Sequence, residues 1–183
     1  VDHFQGAHMA TEYLLKLGHR RIAHIGAYLG GDPQGMMRLA GYEAALRKHG
    51  LNGDKNLIMP GDFNWESGYH AAQELLQHPR DVTAVFASSD YVAVGAMRAF
   101  QESGMQVPGD MAIVGFDDMP FSAWLDVPLT TIAQPKIEIG AAAVKSLIAL
   151  IEDRDAPDVM FEPQLIVRES CGAKVGKAAV GSD

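Results

Sequence analysis

The sequence has little cysteine and little positive charge. Cys171 is the one cysteine among 183 residues, which excludes a disulfide framework and a thiolate metal cluster and fits a reducing cytoplasm. Lys and Arg number 15 against 23 Asp and Glu, so the formal net charge is −8. Binding to duplex DNA depends on Lys and Arg displacing counterions from phosphates. We therefore do not expect this chain by itself to bind DNA.

Long apolar runs are also missing. No stretch approaches the roughly 18–20 apolar residues that a membrane-spanning helix needs. The opening Val1-Asp2-His3-Phe4 has neither a basic leader nor an apolar signal core. Hydrophobic residues nevertheless make up 48% of the chain, which is the balance of a soluble domain with a real core. We expect no membrane partner.

Amphipathic segments of helical period alternate with short apolar runs along the chain. The periodicity predicts helices over about 4–17, 36–49, 66–77, 91–103 and 137–152, and strands near 21–25, 57–59, 83–87, 111–116, 130–132 and 162–168. Strands that alternate with helices favour a parallel sheet with helices on both faces. The predicted fold is α/β, a three-layer, doubly wound parallel sheet.

Polar and aromatic residues follow the predicted strands. Open parallel sheets bind ligands at the carboxyl ends of their strands, and this rule selects the segments 27–35, 61–65, 88–90, 116–128 and 133–135. These segments contain carboxylates, amides and hydroxyls, namely Asp32, Asp62, Asn64, Ser88, Ser89, Asp90, Asp117, Asp118 and Gln134. They also contain the aromatic residues Tyr28, Phe63, Trp65, Phe116 and Trp124, and Arg38 lies in the predicted first turn of the second helix. Such groups suit a polyhydroxylated ligand.

The sequence motifs give weaker support for an enzyme than for a ligand-binding domain. Ser88-Ser89-Asp90 lacks the Gly-x-Ser-x-Gly elbow and is better explained as a helix N-cap. The seven His residues form no ligand pair, and we interpret them as surface or capping groups. Asp117-Asp118 is a possible acidic pocket of a phosphoryl-transfer receiver domain, but the acceptor Asp and the Lys that a receiver also needs are not supplied. We expect no catalytic residues, no metal and no cofactor.

Several motifs, in order and spacing, resemble the LacI/GalR family of transcription regulators. They are Leu17–Gly26, the Arg-x-x-Gly-aromatic run Arg38–Tyr42, Ala84–Asp90, Val107–Asp118 and Pro128–Pro135, and the resemblance covers residues 1 to about 170. It implies a fold like that of periplasmic sugar-binding proteins, with two lobes around a ligand cleft. It implies ligand-binding roles for Arg38, Phe63, Ser89, Asp90, Asp117 and Gln134. Ser89 stands where many members have Asn.

The resemblance also divides the chain. Residues 1–134 would form the C-terminal lobe of an effector-binding domain, and 135–155 a helix that belongs to the N-terminal lobe in intact members. Residues 156–171 would form the final strand and 172–183 a disordered tail. The helix-turn-helix headpiece and most of the first lobe would lie before residue 1. The apolar face of the 135–155 helix would then need cover, either from a second copy or by folding onto this lobe.

The implied function is effector sensing in a cytoplasmic repressor. A sugar, sugar acid or sugar phosphate would shift the arrangement of the lobes in a homodimer and so control an operator-binding headpiece. A periplasmic sugar-binding protein of a transporter remains the alternative from another class.

Overall fold

A computed structural model describes residues 1–27, 32–77, 81–156 and 158–173. Within them the chain forms five helices and six strands that alternate as predicted. The helices are α1 His3–Lys16, α2 Pro33–Lys48, α3 Trp65–Gln77, α4 Asp90–Glu102 and α5 Lys136–Ile151. The strands are β1 Ile22–Ala27, β2 Ile58–Pro60, β3 Ala84–Ala87, β4 Ala112–Asp117, β5 Thr130–Ala133 and β6 Gln164–Ile166.

All six strands belong to one sheet, in the order β2-β1-β3-β4-β5-β6. The first five pair in parallel, with register partners such as His24 with Phe86 and Val114 with Thr130. The parallel arrangement brings the carboxyl ends of β1 to β5 to the same edge. The last strand differs from this scheme, because β6 pairs antiparallel with β5 at the side of the sheet.

A hydrophobic core covers each face of the sheet. On one face α1 and α2 pack with Leu14, Tyr42 and Phe86. On the other face α3 and α4 pack with Leu75 and Phe100. β3 is buried at all four positions, as its unbroken apolar sequence predicts. The predicted α/β layering is therefore confirmed.

Local capping explains where the helices begin. Asp2 accepts a hydrogen bond from the Gln5 N–H at 2.8 Å and caps α1. Asp32 caps α2 and is followed by Pro33 at the first helical position. α2 therefore begins three residues earlier than the predicted Met36, and Arg38 lies in its second turn rather than its first.

The apolar face of α5 is exposed. Ile137, Val144, Leu147 and Ile151 are between 57% and 85% exposed, and Ala149 is the one buried residue of the helix. The suggestion that α5 folds back onto this lobe is therefore wrong for the described residues, because no residue of α5 belongs to either core. No helix of the described ranges is long and apolar enough to cross a bilayer. The predicted disordered tail lies outside the described residues from position 174 onward.

Gly95 is required where α4 crosses α3. A Cβ at this position would lie 1.9 Å from the Trp65 carbonyl oxygen and 2.8 Å from the Tyr69 nitrogen, both in the α3 backbone. We expect Gly95→Ala to lower the free energy of unfolding by about 1–3 kcal/mol, since overpacking outweighs the gain in helix propensity. Gly140→Ala in exposed α5 is the control and should be neutral or stabilising, because nothing lies within 4 Å of its Cβ. Equal unfolding midpoints in urea for the two variants would contradict this account.

Candidate ligand-binding site

Arg38 is the centre of the polar cluster at the carboxyl edge of the sheet. Its side chain extends from the second turn of α2 toward Phe63 and Phe116, and the residue is only 3% exposed. The guanidinium carbon lies 3.9 Å from the centre of the Phe116 ring and 5.2 Å from that of Phe63. Nη1 donates to the backbone carbonyl of Ser88. A planar cation is thus held against two aromatic rings, that of Phe116 near the end of β4 and that of Phe63 in the loop after β2.

Asp117 is the anionic partner of Arg38. Its Oδ1 lies 3.7 Å from Nη2 of Arg38 and accepts a hydrogen bond from Gln134 Nε2 at 2.6 Å. Burial raises the pKa of Asp117 to about 6, although the Arg38 charge acts in the opposite direction. The backbone of Asp117 is at φ 118°, a conformation that non-glycine residues rarely adopt. Strained backbone of this kind concentrates at binding and catalytic sites.

The two consecutive carboxylates have different partners. Asp118 accepts from Nη2 of Arg168 at 2.7 Å, whereas Asp117 faces Arg38 and Gln134. Lys136 Nζ donates to the backbone carbonyls of both aspartates. An acidic pocket for a divalent cation would instead point both carboxylates at one position. The pair is therefore arranged to receive cationic side chains.

Asp90 is buried beside this cluster. Its carboxylate accepts hydrogen bonds from the Thr131 hydroxyl at 2.5 Å, the Ser122 hydroxyl at 2.6 Å and the Met119 N–H at 2.7 Å. Burial raises the pKa of Asp90, against the effect of these hydrogen bonds. Asp90 thereby connects α4, β5 and the loop after β4, and it fixes the chain just beyond Asp117.

An open cavity adjoins the cluster. It has a volume of about 380 Å³ and is lined by Asp32, Gln34, Asp62 and Phe63. The Phe63 ring thus faces both the cavity and Arg38. Carboxylates and an amide around an aromatic face can hold hydroxyl groups and an apolar ring face at the same time.

The match to a family model covers most of the chain. Residues 11–171 match the periplasmic binding protein-like domain. A solved putative LacI-family regulator from Sanguibacter keddieii superimposes with a TM-score of 0.85 at 37% identity, over 94% of this chain and 67% of that one. The chain belongs to the LacI family.

Two further relatives of this LacI-family chain are transcription regulators. The ribose operon repressor of Escherichia coli (strain K12) is 42% identical over 143 residues, which is 78% of this chain and 43% of the repressor. The structure of the regulator CelR in complex with cellobiose has a TM-score of 0.87 at 37% identity, over 93% of this chain and 52% of that one. The chain spans about half the length of the curated relatives it matches.

The structure brings together four of the six residues that the family resemblance selected. Arg38, Phe63, Asp117 and Gln134 form one continuous cluster through the contacts given above. Ser89 and Asp90 lie beside it, but both are almost fully buried, and the Ser89 hydroxyl accepts from the Val92 N–H as the N-cap of α4. Direct ligand contact by any of the six stays a prediction.

Other candidates from the strand-end segments have structural roles or lie apart. Asn64 accepts from the Ser67 N–H at 2.8 Å at the start of α3. Trp124 is 87% exposed and Trp65 is 53% exposed, whereas Phe116 is fully buried under Arg38. Tyr28 lies outside the described residues. The sequence predicted that these segments meet at one edge of the sheet but not the direction of each side chain.

His3 also belongs to the Arg38 cluster, which sequence reasoning missed. Nδ1 lies 3.4 Å from Nε and 3.3 Å from Nη2 of Arg38, and the His3 ring packs near Phe116. Burial, together with the Arg38 charge, lowers the pKa of His3 to about 4. The neutral ring therefore accepts from Arg38 at neutral pH. The sequence interpretation had treated His3 as a surface or capping group.

His24 is expected to make stability depend on pH. It is fully buried in β1, stacks on Phe86 at 4.9 Å, and burial lowers its pKa to about 4. Between about pH 6.5 and 4 the unfolded state then binds a proton that the folded state does not, so this contribution to stability falls as pH falls, by up to about 3 kcal/mol. His3 acts in the same direction, and Asp117, whose pKa is raised, opposes both.

Unfolding in urea across this pH range measures the effect. His24→Leu should reduce the loss of stability on acidification, because the leucine has no proton to bind. Phe86→Leu removes the same ring contact without removing a titrating group, so it should lower stability by a similar amount at each pH. A His24→Leu profile parallel to that of the parent chain would contradict the assignment.

Proposed function

We propose that this chain is the C-terminal lobe of the effector-sensing domain of a LacI-type transcription repressor. The cluster of Arg38, Asp117 and Gln134 beside the rings of Phe63 and Phe116 carries the proposal. Its donors, acceptors and aromatic faces suit a small polyhydroxylated effector such as a sugar. The name of the ribose repressor and the cellobiose complex of CelR support the same ligand class.

The proposed mechanism is a shift between two arrangements of the lobes. An effector that contacts both walls of the cleft stabilises the closed arrangement by its differential affinity for the two states. The change alters how a homodimer presents its helix-turn-helix headpieces to an operator. The headpieces, not this acidic lobe, would bind DNA in the cytoplasm, since the net charge here is −8.

The exposed face of α5 supports the same assignment. Ile137, Val144, Leu147 and Ile151 would be covered by the N-terminal lobe or by the second subunit in the intact repressor. The site contains ion pairs and hydrogen bonds that bind and orient, and we propose that it binds its ligand without converting it.

A ligand screen on the complete gene product tests this function. Thermal shift and calorimetry would be run with ribose, glucose, cellobiose and other pentoses, hexoses and disaccharides, followed by operator release measured by fluorescence anisotropy. We expect one sugar to raise the melting temperature and to change operator affinity over the same concentration range. The isolated lobe should bind that sugar only weakly, because it supplies one wall of the cleft.

Two results would contradict the proposal. Tight sugar binding with no change in operator affinity would favour a periplasmic sugar-binding protein, and a secretion leader in place of a headpiece would agree with that. Micromolar binding by the isolated lobe would mean that the site is misplaced.

A further inference from the structure

The Arg38 guanidinium is already occupied by groups of this chain. Nε and Nη2 lie within 3.4 Å of His3 Nδ1, Nη1 donates to the Ser88 carbonyl, and Nη2 also lies 3.7 Å from Asp117 Oδ1. Each of the three nitrogens therefore has a partner, and only 3% of the residue is exposed. Binding a carboxylate or phosphate in the usual two-pronged manner would require breaking these contacts.

Two other cations near the site are similarly engaged. Lys136 Nζ donates at 2.8 Å and 2.5 Å to the carbonyls of Asp117 and Asp118. Arg168 donates to the Leu129 carbonyl and to the Asp118 carboxylate, both at 2.7–2.8 Å. These side chains hold the strand-end loop in place and do not point a free charge toward the cavity.

Carboxylates dominate the surroundings of the cluster. Asp117, Asp32 and Asp90 all act on the Arg38 charge, and Asp62 lines the cavity together with Asp32. An anionic ligand beside Phe63 would face these carboxylates, and the cationic side chains described next to the cluster, those of Arg38, Lys136 and Arg168, are already engaged. Close like charges would therefore strongly oppose its binding. Hydroxyl groups, in contrast, can donate to the same carboxylates.

We infer that the effector of this site is an uncharged polyhydroxylated molecule, and that the site discriminates against carboxylate and phosphate derivatives of it. The inference rests on the proposed function and narrows its ligand class. Hydroxyl groups of the ligand donate to Asp117, Asp32 and Asp62, and one face of its ring lies on Phe63. The acidic cavity wall supplies the discrimination against anions.

Matched ligand pairs test the inference on the complete gene product. The pairs are ribose with ribose 5-phosphate, glucose with glucose 6-phosphate and gluconate, and cellobiose with cellobionate, each titrated by calorimetry at pH 7.5. For the pair whose neutral member binds, we expect the anionic member to bind at least about tenfold more weakly. An anionic member that binds equally well or more tightly would overturn the inference and leave the proposed sensing function standing.

A charge-neutralising variant tests the cause. Asp32→Asn combined with Asp62→Asn removes two charges, and Asn can still cap α2 at position 32. The ratio of the dissociation constants of the anionic and neutral members should fall by about threefold or more. Added salt should lower the same ratio in the parent protein. Asp81→Asn, an exposed position outside the cavity, is the control and should leave the ratio unchanged.

The remaining outcomes are equally decisive. An unchanged ratio in the double variant would overturn the role of the acidic wall. If no member of any pair binds, the inference fails together with the proposed function, which separates that result from selective binding of anions.

Discussion

Arg38→Ala is expected to weaken effector binding by about 1.5–3 kcal/mol, which raises the dissociation constant roughly tenfold to 150-fold. The substitution removes the cation that faces Asp117 at 3.7 Å and so disturbs the carboxylate that is proposed to accept from the ligand. It also removes the planar guanidinium that stacks on the Phe116 ring. Calorimetric titration of the complete gene product, with the sugar that the screen identifies, measures the change.

Two controls separate loss of the site from loss of the fold. Arg38→Lys keeps the positive charge but not the planar fork, so its affinity should fall between those of the parent and the alanine variant. Arg47→Ala removes an exposed arginine of the same helix, which pairs with Glu43, and should change affinity by less than about 0.5 kcal/mol. The melting temperature without ligand checks that each variant is folded. An unchanged dose response for Arg38→Ala would remove Arg38 from the site.

The position of the candidate site follows from the topology that the sequence predicts. Parallel strands place their carboxyl ends at one edge, so the sequence predicts that Phe63, Asp117 and Gln134 lie near one another, although they belong to the ends of three different strands, β2, β4 and β5. The contacts of Arg38 with Phe63 and Asp117 agree with this expectation. Hydrophobic periodicity was sufficient here, because the central strands β3 and β4 are short and almost wholly buried and because α1, α2 and α4 begin at side-chain caps.

Side-chain direction could not be predicted in the same way. Ser88, Ser89 and Asp90 are consecutive, yet Ser88 offers its carbonyl to Arg38, Ser89 caps α4 and Asp90 turns to Thr131. These choices depend on partners up to 50 residues away in sequence. The contact between His3 and Arg38 has the same origin, since it spans 35 residues between the beginnings of two helices.

Edge elements were predicted less completely. The antiparallel direction of β6 has no signal in a three-residue strand whose burial is partial. The helical period of α5 predicted its existence, but the period does not say which surface covers it. Ile137 and Ile151 lie on the exposed side of the helix, and the period by itself does not distinguish an exposed apolar face from a buried one.

Asp90→Ala should lower the free energy of unfolding by about 4 kcal/mol or more, because it leaves three donors without their acceptor in a buried environment. The donors are the Thr131 and Ser122 hydroxyls and the Met119 N–H. A Cβ at Gly115 would lie 2.4 Å from Asp90 Oδ1, so β4 itself is shaped to accommodate this carboxylate. Urea unfolding of the parent and variant chains measures the loss.

Graded variants of the Asp90 network test whether it acts through position or through direct contact. Asp90→Asn retains one acceptor oxygen and should lose less stability than Asp90→Ala. Thr131→Val removes one donor together with its need for a partner, so it should lose least. If Asp90 only positions the loop after Asp117, the three variants should lose effector affinity in the same order as they lose stability.

A large loss of affinity in Asp90→Asn with near-parent stability would instead place Asp90 in direct contact with the ligand. An Asp90→Ala chain as stable as the parent would contradict the network altogether.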